Sequence, residues 1–134
     1  MDIAFRYGGI IAFAVLSGCA TATNRTTSTA YPTDYRGMAS AYLRSTLFDP
    51  YSVRDAQIAA PKLKGSFVLT DPAEGWTICV RMNAKNRMGA YTGQQETVLL
   101  IRGEKVVSST EGPAPYYCSD AQYEPFSELG ARGN

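Results

Sequence analysis

The chain has 134 residues, a formal net charge of +1 and no histidine. This length suits a single domain, and the near-neutral charge argues against a nucleic-acid-binding protein and against a polybasic membrane-surface protein. Histidine is the commonest general base and a frequent metal ligand, so its absence excludes Ser-His-Asp, Cys-His and histidine-based zinc sites. We therefore expect no cofactor, no metal site and no nucleic-acid partner.

The first 18 residues have the layout of a secretory signal. Arg6 precedes an apolar run at residues 10–16, which is shorter than the roughly 20 residues that a membrane-spanning helix needs. Residues 16–19 read Leu-Ser-Gly-Cys, and this run resembles the lipobox of bacterial lipoproteins. The alternative is a buried N-terminal helix that happens to end in Gly-Cys.

The lipobox resemblance implies a signal peptide over residues 1–18, which is removed, and a lipid on Cys19. Ala20 follows that cysteine, and a residue other than Asp at this position resembles the sorting pattern of lipoproteins sent to the outer membrane. We expect a lipid anchor in the outer membrane, with the domain on the periplasmic side rather than the cell surface. Residues 19–32 are rich in Thr, Ser and Ala without apolar periodicity, which predicts a flexible tether behind the acylated cysteine.

The cysteine count supports this interpretation. The chain has three cysteines, at positions 19, 79 and 118. If a lipid occupies Cys19, an even pair is left, and an exported chain usually joins such a pair in a disulfide. We therefore predict a disulfide between Cys79 and Cys118.

A globular domain is predicted over residues 33–127, followed by a C-terminal tail at 128–134. The domain begins with a helix, for which Thr33 or Asp34 is the expected N-cap and Asp49-Pro50 the stop. One face of this helix is apolar and should pack on a sheet. The residues of that face are Tyr35, Met38, Ala39, Tyr42, Leu43 and Leu47.

Short extended runs separated by turn residues follow the helix. They predict strands at 53–59, 67–69, 76–82, 97–102 and 105–109, with hairpin turns at 71–75 and at Gly103-Glu104. The predicted fold class is α+β: an N-terminal amphipathic helix packed on an antiparallel sheet of four or five strands.

Alternation along the strands predicts which face each side chain occupies. Residues 76, 78, 80 and 82 are apolar and should face the helix, which places Cys79 on the far face. The next strand is apolar on both faces over residues 98–101, so both need cover. We expect the proline- and tyrosine-rich segment from residue 113 to 126 to cross the outer face, held by the disulfide.

The densest polar run of the domain, residues 83–93, joins two predicted strands. Together with Asp49-Pro50-Tyr51-Ser52 and Cys79, it resembles a run found in small envelope and phage-linked proteins of unknown function. In those proteins Cys-x-x-x-Asn-Ala-Lys-Asn leads into Gly-(Gly/Ala)-Tyr-Thr-Gly. The resemblance implies a shared fold and carries no activity.

This polar run has two interpretations. It can be a binding loop for a glycan or a protein, with Lys85 and Arg87 as donors and Tyr91 as a flat apolar contact. It can instead be a structured connection whose Asn side chains satisfy the backbone of the turn. The candidate binding residues are Asn83, Lys85, Asn86, Arg87 and Tyr91.

The predicted function is a non-enzymatic binding or scaffolding role of an envelope lipoprotein, with an envelope protein or peptidoglycan as the partner. No catalytic residue is predicted, since the carboxylates are scattered along the chain at turns and polar positions. Two alternatives stay open. One is a small cell-wall hydrolase that uses two acidic residues, and the other is an inhibitor of such hydrolases.

Overall fold

The computed structural model describes residues 30–64, 74–112 and 115–130. The predicted signal peptide, the lipid-bearing Cys19, most of the predicted tether and the predicted strand at 67–69 lie outside the described residues. Within those ranges the chain forms three α-helices, a short 3-10 helix at Pro50–Ser52 and six strands. In chain order the helices and strands are α1 Tyr35–Thr46, β1 Arg54–Ala59, β2 Lys62–Lys64, β3 Gly75–Asn83, β4 Gln95–Arg102, β5 Lys105–Glu111, α2 Pro115–Cys118, β6 Tyr123–Pro125 and α3 Ser127–Gly130.

The six strands of the described residues form one antiparallel sheet in the order β5-β4-β3-β1-β6. The short strand β2 pairs with the first residues of β3, and β1 pairs with its last residues. The α+β class therefore holds, but the sheet has six strands instead of the predicted four or five. The strands missing from the prediction, β2 and β6, have three residues each, which is too short for a period-two pattern to show.

The helix α1 begins where its flanking residues predict, and it ends at Thr46, ahead of the predicted stop at Asp49-Pro50. Asp34 is its N-cap, and the carboxylate accepts a hydrogen bond from the Gly37 backbone N–H at 3.3 Å. Leu47 has an extended backbone (φ −66°, ψ 142°), so the helix has ended before Pro50. Of the predicted apolar face, Ala39 and Leu43 are buried, and the other four residues are half-buried against the same cluster.

The buried side chains form two clusters, and successive residues of β3 alternate between the two. Ile78, Val80 and Met82 belong to a cluster that includes Ala39 and Leu43 of α1. The other cluster consists of Ala59, Cys79, Val98 and Cys118. The predicted alternation along β3 is therefore confirmed, and each fully buried aliphatic side chain contributes about 1.5–3 kcal/mol to stability.

The C-terminal segment departs from the prediction at its end. Tyr117 and Tyr123 pack against the cluster of Cys79, as expected. Phe126, however, is 1% exposed in the cluster of α1. It follows β6, which pairs with the outer edge of β1, and its backbone N–H donates to the Ala56 carbonyl of β1 at 2.8 Å. The prediction that the outer face holds Phe126 is wrong. Leu129 packs in the same cluster, so the packed chain continues beyond the predicted boundary at residue 127.

Candidate functional site

An open groove lies at the end of the sheet where β3 ends and β4 begins. Its volume is about 870 Å³, which falls within the range of ligand-binding clefts. It is lined by the end of α1 and the segment after it, by Met82 of β3, by the β3–β4 loop (residues 84–94), by the start of β4 and by the end of β5. We call it the loop groove. Three of the five candidate binding residues line it, namely Lys85, Asn86 and Arg87.

The side chain of Asn86 organises the β3–β4 loop from within. Its Oδ1 accepts hydrogen bonds from the backbone N–H groups of Met88 at 2.9 Å and Ala90 at 3.1 Å. Its backbone N–H donates to the Ala90 carbonyl at 3.0 Å, and Gly89 has a φ of +76° that other residues adopt at a cost. For Asn86 this geometry is that of the structured connection, in which an Asn side chain satisfies the backbone of its own turn.

Tyr91 is also held within the domain. Its hydroxyl donates to the Ser52 carbonyl at 2.8 Å, and its ring has the Arg54 guanidinium 4.2 Å and the Lys85 ammonium 5.7 Å from its centroid. Two cation–π contacts thus use the ring. The half-buried Tyr91 ring thus supports the loop, and its role as a flat apolar contact for a ligand stays a prediction.

Ser52 connects, in space, the two stretches that carry the resemblance to envelope proteins, residues 49–52 and 83–93. Its carbonyl binds Tyr91, and its Oγ accepts the backbone N–H of Lys85 at 2.9 Å. The same hydroxyl donates to the Asp49 carbonyl at 2.7 Å, inside the Asp-Pro-Tyr-Ser turn. The β3–β4 loop is therefore tied at both of its arms to the segment that follows α1.

Asn83 and Arg87 differ from the tied residues of this loop. Asn83 is half-buried at the end of β3, and its buried Oδ1 has no hydrogen-bond partner among the residues that the structure describes. Arg87 is exposed and lines the loop groove. Met88, next to it, is 88% exposed. The tip of the loop thus presents a cation and a large apolar side chain to solvent on a braced backbone.

The loop groove carries charges that the rest of the domain does not neutralise. Lys85 and Arg87 lie on the loop side, and Glu111 at the end of β5 lines the groove as well. Among the described residues, none of these three forms an ion pair; the ion pairs there join Arg36 to two glutamates, and Lys62 and Lys64 to one aspartate. Phe48 adds an apolar wall and is 66% exposed.

The chain enters the domain at the other end of the sheet. The Tyr31 ring meets the Trp76 ring edge-on at 5.1 Å, at the start of β3. Residues 30–34 border a smaller cleft together with Gly103 and Glu104, which form the β4–β5 turn. The eight residues of β4 separate this turn from the loop groove, a distance of about 25 Å at 3.4 Å per residue.

The shifted carboxyl groups of the described residues lie away from the loop groove and are stabilised as anions. Hydrogen bonds from Arg36 lower the pKa of Glu128 to about 2. Hydrogen bonds from Lys62 and Lys64 lower the pKa of Asp120 to about 2. A general acid needs the opposite shift, toward the working pH.

A cysteine pair fixes the segment after β5 to the sheet. Cys79 of β3 and Cys118 of α2 form a disulfide with their Cα atoms 5.8 Å apart, as the cysteine count predicted. Within residues 30–64, 74–112 and 115–130, no group of three or more acidic or cysteine side chains could hold a metal ion. The same ranges contain no helix with the length and apolar character needed to cross a bilayer.

Comparison of the chain with protein-family models, curated proteins and solved structures finds no match. Sequence reasoning located the loop and missed Phe48 and Glu111 as groove residues. They lie far from the loop in the chain, and a strand end and a post-helix residue carry no local pattern that predicts their meeting.

Proposed function

We propose that the protein is a lipid-anchored lipoprotein of the outer membrane whose domain binds another envelope component through the loop groove, without catalysis. The observation that carries this proposal is the composition of the groove. It combines unpaired charges at Arg87 and Glu111 with an exposed aromatic ring at Phe48 on a braced loop. Aromatic and arginine side chains of this kind dominate binding surfaces.

The position of the groove supports a partner that lies away from the membrane. A tether that reaches Tyr31 enters the domain at the β4–β5 turn, and the groove lies about 25 Å away along the strands. An anchor at Cys19 would attach the flexible tether at the entry end of the domain. The groove would then lie at the end away from that attachment, where an envelope partner can reach it.

The proposed layering is α1 over one face of the sheet and the segment around Cys118 over the other. The separation of the two buried clusters on either side of β3 supports it. The disulfide supports an exported location, because such bonds persist in oxidising compartments. A rigid two-sided core of this kind suits a domain that presents a fixed surface at one end.

Of the alternatives, an inhibitor of cell-wall hydrolases belongs to the same binding class and would be identified by the same partner experiment. A hydrolase that uses acidic residues is less consistent with the site. The described carboxyl groups with a shifted pKa are those of Asp120 and Glu128. Both bind cationic side chains, which lower the pKa of each. Neither is suited to donate a proton near neutral pH.

Site-specific crosslinking in intact cells tests the groove. A photoreactive residue at Phe48 should trap a defined envelope component, because its ring borders the groove. The matched control is the same residue at Lys105, which is exposed at the opposite end of the sheet. Identical products from both positions, or none from Phe48, would overturn the proposed surface.

Membrane fractionation tests the anchor separately. A Cys19→Ala variant should lose the lipid and leave the membrane fraction, whereas Cys79→Ala should remain in it. If Cys19→Ala sediments with membranes as before, the lipoprotein assignment fails.

A further inference from the structure

We propose that the loop groove binds a short peptide carrying both a carboxylate and an ammonium group, of the kind that branches from the glycan strands of the cell wall. This inference rests on the proposed envelope location. The groove's own charges point to such a ligand. Lys85 and Arg87 lie on the loop wall, and Glu111 lies at the end of β5, so the groove offers sites for both signs of charge.

Both kinds of charge in the groove lack an ion-pair partner within the described residues. Arg36, Lys62 and Lys64 form ion pairs there, whereas Arg87 and Glu111 form none, and the Lys85 ammonium contacts only the face of the Tyr91 ring, 5.7 Å from its centroid. A ligand with a single charge would leave one of these walls unmatched. A peptide with a terminal carboxylate and a side-chain ammonium matches both, because opposite charges that approach within about 4 Å attract even near a surface.

The remaining lining fits a peptide of a few residues. Phe48 and Gln95 are exposed in the lining and offer an apolar ring and an amide group, and the buried residues Met82 and Thr97 also border the groove. The volume of about 870 Å³ is that of a cleft for a small ligand. A folded protein would need a larger and flatter surface, with about 800 Å² buried on each partner.

The location of the groove selects the source of the peptide. It lies at the end of the sheet opposite the entry of the chain at Tyr31. With the domain's own length of about 25 Å added to the reach of the tether, the groove stands off from the lipid surface. Short peptides with free carboxylates and amines are then supplied by the cell wall.

The test measures binding of stem peptides released from purified cell wall to the mature acylated protein in detergent. Three probes are used: the unmodified peptides, peptides with amidated carboxyl groups and peptides with acetylated amino groups. For the wild type, each modification should weaken binding about two- to five-fold, the range of an exposed ion pair. In a Lys85→Gln/Arg87→Gln variant, amidation of the peptide carboxyl groups should not weaken binding further. In a Glu111→Gln variant, acetylation of the peptide amino groups should not weaken binding further.

Lys105→Gln, at the opposite end of the sheet, is the control and should respond to the probes like the wild type. The inference is overturned if the wild type does not bind the unmodified peptides at millimolar concentration. It is also overturned if both modifications weaken binding to the variants as much as to the wild type. A protein trapped at Phe48 without peptide binding would reject the peptide and leave the proposed function standing. A Cys19→Ala variant that stays in the membrane fraction would reject the anchor whatever the peptide result.

Discussion

Arg36 and Glu128, 92 residues apart in the chain, form a two-point ion pair that joins α1 to α3. The Arg36 Nη2 donates to Glu128 Oε2 at 2.7 Å while Nε donates to Oε1, and Nη2 also reaches the Pro125 carbonyl at 2.7 Å. Two parallel bonds of this kind fix direction as well as distance. The polar side of α1 thus holds α3 against the domain.

Replacing Glu128 by Gln should lower the free energy of unfolding at pH 7 by at most about 1 kcal/mol, since its side chain is 41% exposed and solvent screens the pair. The folded-state pKa of about 2 lies below the unfolded value, so this contribution is present above about pH 5 and is lost as the pH falls toward 2. Urea unfolding of both proteins between pH 2 and 7 measures it. Glu104→Gln, in an exposed turn, is the control, and a wild type–variant difference that persists at pH 2 would contradict the prediction.

Removing the Cys79–Cys118 disulfide should destabilise the domain by about 4 kcal/mol. The two cysteines lie 39 residues apart, and the chain-entropy relation gives this value for a loop of that length. The measurement compares chemical unfolding of the oxidised protein with that of a Cys79→Ala/Cys118→Ala variant. Under reducing conditions the two should be nearly equal. Equal stability of the variant and the oxidised wild type would contradict the prediction.

A Tyr91→Phe substitution should cost about 1 kcal/mol of stability, the usual contribution of one hydrogen bond. The hydroxyl that it removes donates to the Ser52 carbonyl, which would lose this partner. Chemical unfolding measures the loss, with Tyr116→Phe as the matched control on a ring that is 75% exposed. Equal stability of the two variants would show that the hydroxyl does not brace the loop.

Tyr123 should ionise at higher pH than an ordinary tyrosine. Burial raises its pKa, and its hydroxyl also donates to Glu96 Oε2 at 2.6 Å, which favours the neutral form further. Because the folded-state pKa lies above the unfolded value of about 10, the associated stability is present below pH 10 and is lost as the pH rises above it. Burial also raises the pKa of Tyr35, so ultraviolet titration of the folded protein should show a high-pH absorbance change whose amplitude falls by one tyrosine in Tyr123→Phe. An undiminished amplitude in the variant would contradict the assignment.

Local patterns in the sequence predict the elements that are long enough to show a period. The helix α1 has an apolar face and a capping aspartate, β3 has alternation, β4 has a continuous apolar run, and a glycine turn at Gly103 with a φ of +60° joins β4 to β5. The strands β2 and β6 have three residues, and what determines them is pairing with β3 and β1, which the sequence does not display.

The site shows the same division between local and distant signals. Asn86 hydrogen-bonds to backbone groups within four residues of itself. The interpretation of the loop as a structured connection therefore predicted its role from local turn chemistry. The position of Tyr91 depends on Arg54 and Ser52, which are more than 35 residues away. Phe48 and Glu111 both line the groove because α1 and β5 finish at the same end of the sheet. Such meetings follow from packing and not from spacing.

The disulfide also determines what a protease would leave behind. Cys79 and Cys118 close the segment between them into a covalent ring, and the exposed Arg87 at the tip of the β3–β4 loop lies inside that ring. Trypsin cleavage after Arg87 would break the chain without separating the two pieces, which would run together on a gel until a reducing agent is added. A nicked molecule would then keep both walls of the groove on one covalently joined particle.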